Sequence, residues 1–146
     1  MPTIYTIIDI ETHPFTHRIT EIAAIRINNL LEIIEEFEVR TNVEWDKNIK
    51  GKYKEAEAIE ILKNIIQEDD IVIGYQIDLI EKILGFLFKK KWDIGWLGKK
   101  ELKMFNPNLS AMATVCGIKE IDKDRALGDC LTMYDILQKV IRVKVR

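Results

Sequence analysis

IYTIIDIET, residues 4–12, is a nearly continuous apolar run that ends in two carboxylates, Asp9 and Glu11. Side chains on a strand alternate between faces, so Asp9 and Glu11 share one side and Ile8 and Ile10 the other. A run this rich in isoleucine predicts a strand buried on both faces. Two acids at the end of such a strand repel each other and lose hydration unless protons, hydrogen-bond donors or a cation compensate. Two readings follow: a divalent cation sits between them, or the strand has emerged into solvent by residue 9 and the acids are ordinary surface groups.

Outward from this stretch, Thr12–His17 reads as a short loop, with Pro14 unable to continue a ladder. Arg18–Asn28 alternates as a half-buried strand, and Asn28-Asn29 offers a two-residue hairpin turn that tolerates positive φ. Leu30–Val39 then returns as a third strand, because β-branched and aromatic residues fill it. Thr41–Lys52 is a polar connector containing Trp45 and Gly51. A helical pattern runs from about Tyr53 to Glu68, with Ile59, Leu62, Ile65 and Ile66 on one face. After the acidic turn Glu68-Asp69-Asp70 comes a short buried strand, Ile71–Gly74. Leu79, Ile80, Ile83, Leu84 and Leu87 mark a second amphipathic helix. Asp93–Asn108 carries no firm pattern. Leu109–Cys116 reads as a helix stopped by Gly117, and a last helix runs from about Arg125 to Ile141 with Leu127, Leu131, Tyr134 and Ile141 as its apolar face. Three strands followed by alternating helices and a strand predict an α/β layered fold with a mixed sheet, in a single domain over 1–146.

With 146 residues, 47% hydrophobic and 32% charged, the chain has enough apolar surface for one sizeable core. No segment has the length of a membrane span and the N-terminus shows no signal-peptide pattern, so a soluble cytoplasmic protein is expected. Cys116 and Cys130 form no C-x-x-C and suit reduced, buried thiols. The two histidines, His13 and His17, are too few for a His-rich metal site. They belong to the loop after the first strand, as plain loop residues or facing a substrate phosphate. The net charge of −2 supplies no global attraction for nucleic acid, so any such contact must be local. Two basic regions are candidates: Lys89–Lys91, Lys99, Lys100 and Lys103 with Trp92, Trp96 and Phe105 interleaved, and the tail Arg142, Lys144 and Arg146. The alternatives are that the lysines are solvated and the two tryptophans cap the core.

Three stretches taken together resemble the DnaQ-like 3′–5′ exonucleases. IIDIET followed by RITEIAAIRI resembles that family's opening, an Asp-x-Glu on the first strand of an RNase H-like sheet. IVIGYQIDLIEKIL stands where the family has a Gly-His-Asn stretch, then Phe-Asp and a helix. LSAMATVCGI and DRALGDCLTMYDIL resemble its closing His-Arg-Ala-Leu-x-Asp-Ala helix. The resemblance implies an RNase H-like exonuclease fold, a mixed central sheet flanked by helices. It also implies phosphodiester hydrolysis by two divalent cations held by carboxylates, one activating water and the other stabilising the leaving 3′ oxygen. Oxygen-only ligands imply Mg²⁺ or Mn²⁺.

Carried over by position, Asp9 and Glu11 match the first pair of ligands and Asp129 the last. Without a gap from Gly74 the second-motif Asp falls on Ile80; Asp78 takes its place as the fourth ligand if the loop is shortened, and otherwise only begins a helix, where acids are favoured. Asp124 stands where the family has its general-base histidine. It is expected either as a metal ligand or proton acceptor, poorly matched to a base near neutral pH, or as the N-cap of the last helix. Glu21 reads as core-edge rather than catalytic. The implied partner is the 3′ end of single-stranded DNA or RNA. The alternative is a catalytically impaired nucleic-acid-binding domain of the same fold, associated with a polymerase or another replication or repair protein, or with a second copy of itself.

Overall fold

The computed structural model describes residues 2–41, 51 and 53–145. Connector residues 42–50 and 52, Trp45 included, and the side chains of the basic tail Arg142, Lys144 and Arg146 lie outside what it describes. The chain runs β1 (Tyr5–Thr12), β2 (Ile19–Ile27), β3 (Ile33–Arg40), α1 (Glu55–Ile65), β4 (Ile71–Gly74), α2 (Ile77–Leu84), β5 (Lys91–Asp93), α3 (Gly95–Lys100), α4 (Leu109–Val115) and α5 (Ala126–Val145). The strands form one mixed sheet in the order β3-β2-β1-β4-β5, with β1 in the middle. β1 pairs antiparallel with β2, Asp9 opposite Ala23 and Glu11 opposite Glu21, and parallel with β4, Ile7 opposite Ile73.

Alternation along these strands builds two cores. On one face Ile7, Ala23, Ile25, Ile27 and Ile73 pack under α5 and α4; on the other, Ile8, Ile22, Ala24 and Val72 pack under α1 and α2. Both Ile7 and Ile8 are fully buried, as expected of a strand covered on both sides. Because Asp9 and Glu11 have the parity of Ile7, they stand on the α5 face. The mixed α/β sheet and the single core-spanning β1 agree with the sequence reading.

Several local expectations are corrected. The β2–β3 turn is not a two-residue Asn-Asn turn. It spans Asn28–Glu32, with the Asn28 side chain accepting from Leu30 N and Glu32 N at 2.9 Å each and Leu31, not an asparagine, at φ 62°. Leu31 is fixed there by the Tyr134 hydroxyl, which donates to its carbonyl, so β3 starts only at Ile33. The stretch 93–108, which carries no firm pattern in the sequence, contains α3, and β5 ends on its first residue. α2 ends at Gly85, φ 83°, leaving Leu87 80% exposed beyond it. The buried face of α5 is Ala126, Cys130, Met133, Ile136, Leu137 and Val140; Leu127, Leu131 and Tyr134 flank it. Small residues in the middle let α5 approach the sheet closely, and Cys130 Sγ lies 3.6 Å from the Ala23 carbonyl oxygen.

A candidate metal centre of three carboxylates

The closeness of α5 to β1 puts Asp129, in the first turn of the helix, over the end of β1. A carboxylate oxygen from each of Asp9, Glu11 and Asp129 lies within 4.8 Å of the others. Among the described residues no basic side chain pairs with these acids, and burial and mutual repulsion raise their carboxyls. Burial, with the negative charges of Asp129 and Glu11 behind it, raises the Asp9 carboxyl well above the usual range. Burial also pushes Glu11 up to about 7 and raises Asp129, to which the charges of Asp124 and Glu120 add. The Cys130 thiol beneath them is raised by burial and by the same acids, and so stays protonated.

One oxygen singles out what the cluster lacks. Asp9 Oδ2 is buried and has no hydrogen-bond partner, an arrangement that costs about 1–3 kcal/mol or more for a charged group. A divalent cation would satisfy this oxygen and remove the repulsion together. The ligands are all hard oxygens, which fits Mg²⁺ or Mn²⁺. Asp9, Glu11 and Asp129 are therefore the residues able to hold one.

The surroundings keep other groups out of the cluster. Arg125 Nε donates to both oxygens of Glu21, at 3.1 and 3.0 Å, and its Nη2 approaches Glu38 at 3.8 Å. Glu21, opposite Glu11 in the register, is thus engaged by Arg125, and the pair ties the start of α5 to β2 and β3. Arg125 lies within the closing motif DRALGD, but nothing local in the sequence reveals this task. The task of Gly128 is equally hidden: a Cβ there would lie 2.2 Å from the Ile121 carbonyl oxygen and 2.5 Å from that of Asp122. Only glycine lets the loop before α5 fold back onto the helix. Thr132 pins that loop, its hydroxyl donating to the Gly128 carbonyl at 3.0 Å and accepting from Ile121 N at 3.0 Å.

Two expected site residues stand elsewhere. Asp78 is not with the trio. It begins α2, on the opposite face of the sheet, and its side chain is 85% exposed and accepts from Lys91 Nζ at 2.8 Å. Lys91 also donates to buried Glu81, one turn further along α2. The N-terminus of α2 is capped by Asp93, whose Oδ2 accepts from Ile77 N at 3.0 Å. Asp124 is exposed at φ 66° on the loop before α5. It is not the N-cap: Asp129 N donates to the Arg125 carbonyl, so Arg125 holds that position. His13 is buried rather than on the surface, its Nδ1 accepting from Phe15 N at 3.2 Å, while His17 sits at φ 61° in the same loop. Both shape the turn after β1.

The raised carboxyls would give metal binding at this cluster a defined pH dependence. An acid whose folded pKa lies above its unfolded value holds protons more tightly when folded. Its contribution to stability is complete below the unfolded pKa and is lost as pH rises through the folded one. For Glu11 that window runs from 4.5 to about 7. Metal-free protein should therefore lose stability from pH 5 to pH 8, whereas a cation, which needs the deprotonated ligands, should restore it only at the upper end. At saturating Mn²⁺, about a hundred times its dissociation constant, Tm should rise by about 5–10 °C at pH 8. A shift at pH 5 as large as that at pH 8, measured by scanning calorimetry, would contradict this.

Comparison with known proteins supports the fold. The chain superposes on a product-bound exonuclease I with a TM-score of 0.75 at 14% identity, over 97% of this chain and 44% of that one. It superposes on exonuclease X in complex with 5′ overhanging duplex DNA with a TM-score of 0.72 at 16% identity, over 97% and 93%. The Mg²⁺- and Mn²⁺-bound form of S. pombe Pop2p gives 0.62 at 14% identity, over 93% and 81%. No family model matches the sequence, and no curated protein does. The architecture is thus the RNase H-like fold of exonucleases, and the chain spans less than half the length of exonuclease I. Among the described residues no helix is long and apolar enough to cross a membrane. Neither fold nor neighbours support the expected polymerase partner or self-association.

Proposed function

We propose that the protein is a metal-dependent 3′–5′ exonuclease acting on single-stranded nucleic acid ends. The observation that carries this is the convergence of the Asp9, Glu11 and Asp129 carboxylates, from opposite ends of the chain, with the buried Asp9 Oδ2 left unpartnered. The fold shared with exonucleases and the Mg²⁺ and Mn²⁺ of Pop2p support the reading. A bound divalent cation would supply Lewis-acid activation of water and neutralise charge on the scissile phosphate. The chain's own part is to hold that charge at the end of β1, fix Asp129 through the Arg125–Glu21 pair, and accept the water's proton. Of the two acids whose charges reach Asp129, Glu120 is engaged by the Ser110 hydroxyl at 2.7 Å. We assign the acceptor to Asp124, exposed on the loop before α5; an aspartate is a weak base near neutral pH, so slow turnover is expected.

One observation favours a second reading, a domain that binds 3′ ends with little or no turnover. Asp78 is drawn to Lys91, so the described residues supply carboxylates for one cation rather than two. Digestion of 5′-labelled oligo-dT and oligo-rU with Mg²⁺ or Mn²⁺ across pH 6–9 separates the two. The nuclease reading requires stepwise shortening from the 3′ end and release of mononucleotides. Binding without any shortening under either metal would sink it in favour of the second.

A further inference from the structure

The lysines between 89 and 103 fall into two groups. Lys89 pairs with Glu68 at 2.7 Å, Lys90 approaches Asp69 at 3.9 Å, and Lys91 serves Asp78 and Glu81. These three are neutralised within the protein. Lys99, Lys100 and Lys103 are exposed and have no acidic partner among the described residues. In a chain of net charge −2, attraction for a polyanion must come from a local group of this kind.

The same stretch carries two exposed aromatic rings. Trp92 packs against the core, but Trp96 is 65% and Phe105 89% exposed. They are held on one scaffold, because the chain after α3 folds back along it. Leu102 N donates to the Leu97 carbonyl at 3.1 Å and Met104 N to that of Gly98 at 2.9 Å. Pro107 closes over Gly98, where a Cβ would come within 2.4 Å of the proline ring. Beside them opens a cavity of about 470 Å³, bordered by Tyr75, Gln76, Trp96, Lys99, Asn106 and Asn108. A volume in this range suits a nucleotide-sized ligand. Tyr75 follows the last residue of β4, which runs parallel to β1, so the cavity lies at the same end of the sheet as Asp9 and Glu11. Ligands of open α/β sheets bind beyond the carboxyl ends of the parallel strands.

We propose that this surface is the track on which a single strand of DNA or RNA lies as its 3′ end reaches the carboxylates. One nucleotide occupies the cavity with its base against Trp96, Phe105 stacks a neighbouring base, and Lys99, Lys100 and Lys103 meet the phosphates. Exposed rings interleaved with unpaired cations select unpaired bases, since every base offers a stacking face but a duplex hides it. The assignment of direction rests on reading the carboxylate site as a nuclease centre; the binding itself does not.

Binding is therefore measured apart from hydrolysis, by fluorescence anisotropy of labelled oligo-dT and oligo-rU in EDTA. Trp96→Ala should weaken binding by about tenfold, the loss of one stacked base. Lys99→Gln combined with Lys103→Gln should weaken it and flatten the slope of log K against log salt by about 1.4, the equivalent of two single-strand phosphate contacts. Lys89→Gln, in the same stretch but already paired, should change neither. Unaltered melting temperatures confirm that the exposed substitutions leave the fold intact. The track is overturned if both variants bind within twofold of wild type with the same salt slope, if Lys89→Gln loses as much, or if a blunt duplex binds as tightly as the single strands. Normal binding by these variants beside wild-type hydrolysis in Mn²⁺ would remove the track and leave the nuclease centre. Binding lost in Trp96→Ala, with no hydrolysis by wild type under any metal, would keep the track and remove the centre.

Discussion

Asp9→Asn should abolish hydrolysis, by about 10³-fold or more, while making the metal-free protein more stable at pH 8 rather than less. The two effects have one cause. Asp9 is the acid of the trio most removed from water, raised by burial and by both neighbouring carboxyls, and its Oδ2 has no donor. An asparagine has the same shape and no charge. It relieves the desolvation and repulsion that ionised Asp9 imposes on the folded state, and it removes the ligand that faces the other two. The Tm gain from Mn²⁺ at pH 8 should therefore vanish in the variant, and its metal-free Tm should exceed that of wild type. An acid kept for structure alone predicts the reverse, a lower Tm and an undiminished response to Mn²⁺. Calorimetry with and without Mn²⁺ distinguishes these, and the oligonucleotide digest reads the rate. Asp9→Asn retaining a tenth of wild-type activity would show that the trio is not the reacting centre.

How much of this was legible in the sequence depended on the range over which each signal acts. The period-two pattern of β1 and its two acids is local, and it placed Asp9 and Glu11 on one face correctly. The closing motif placed Asp129 in the first turn of α5, and the structure brings it to the same point. The convergence of these three carboxylates was therefore readable. What was not readable depends on partners far away in sequence. Counting from Gly74 falls on Ile80, and the shortened loop that would offer Asp78 as a ligand cannot show Lys91, thirteen residues later on β5, taking its carboxylate. Asp124 looked like a cap because the expected helix started one residue early. The structure gives the position to Arg125, whose side chain reaches Glu21 across 104 residues. β5 has three residues and α3 six, too short for either periodicity to show, and the glycines of α3 read as loop. Gly98 is there because Pro107 and the Met112 sulfur crowd its α-carbon. Met112 and Pro107 lie in segments that no local window connects to it.

Asp70 makes the same point in energy, and Asp70→Ala should destabilise the protein by about 3–5 kcal/mol. In sequence Glu68-Asp69-Asp70 is a uniform acidic turn. In the structure the first two are exposed and reach toward Lys89 and Lys90, while the side chain of Asp70 is 3% exposed between β1 and β2. Its Oδ2 accepts from the Thr6 hydroxyl at 2.8 Å, from Arg26 Nε at 3.1 Å and from Gln67 N at 3.1 Å, and its Oδ1 from Arg26 Nη2 at 3.2 Å. Removing the carboxylate takes the acceptor from the Thr6 hydroxyl, from Gln67 N and from Nε and Nη2 of a largely buried guanidinium, which keeps only half-exposed Glu35 at its Nη1. The cost lies in that uncompensated charge more than in the bonds themselves, because a buried ion pair returns little net stability over apolar packing. Two further variants separate these contributions. Arg26→Met alone should cost less than Asp70→Ala, since a carboxylate still bonded to Thr6 and Gln67 N remains. Arg26→Met with Asp70→Leu should recover about half or more of the loss, because no buried charge is left unpaired. Urea denaturation with an unchanged m-value measures all three. A loss below about 1 kcal/mol for Asp70→Ala, within the range of a surface pair, would mean that Arg26 finds water or Glu35, 3.2 Å from its Nη1, and that the junction of β1, β2 and β4 does not depend on this acid.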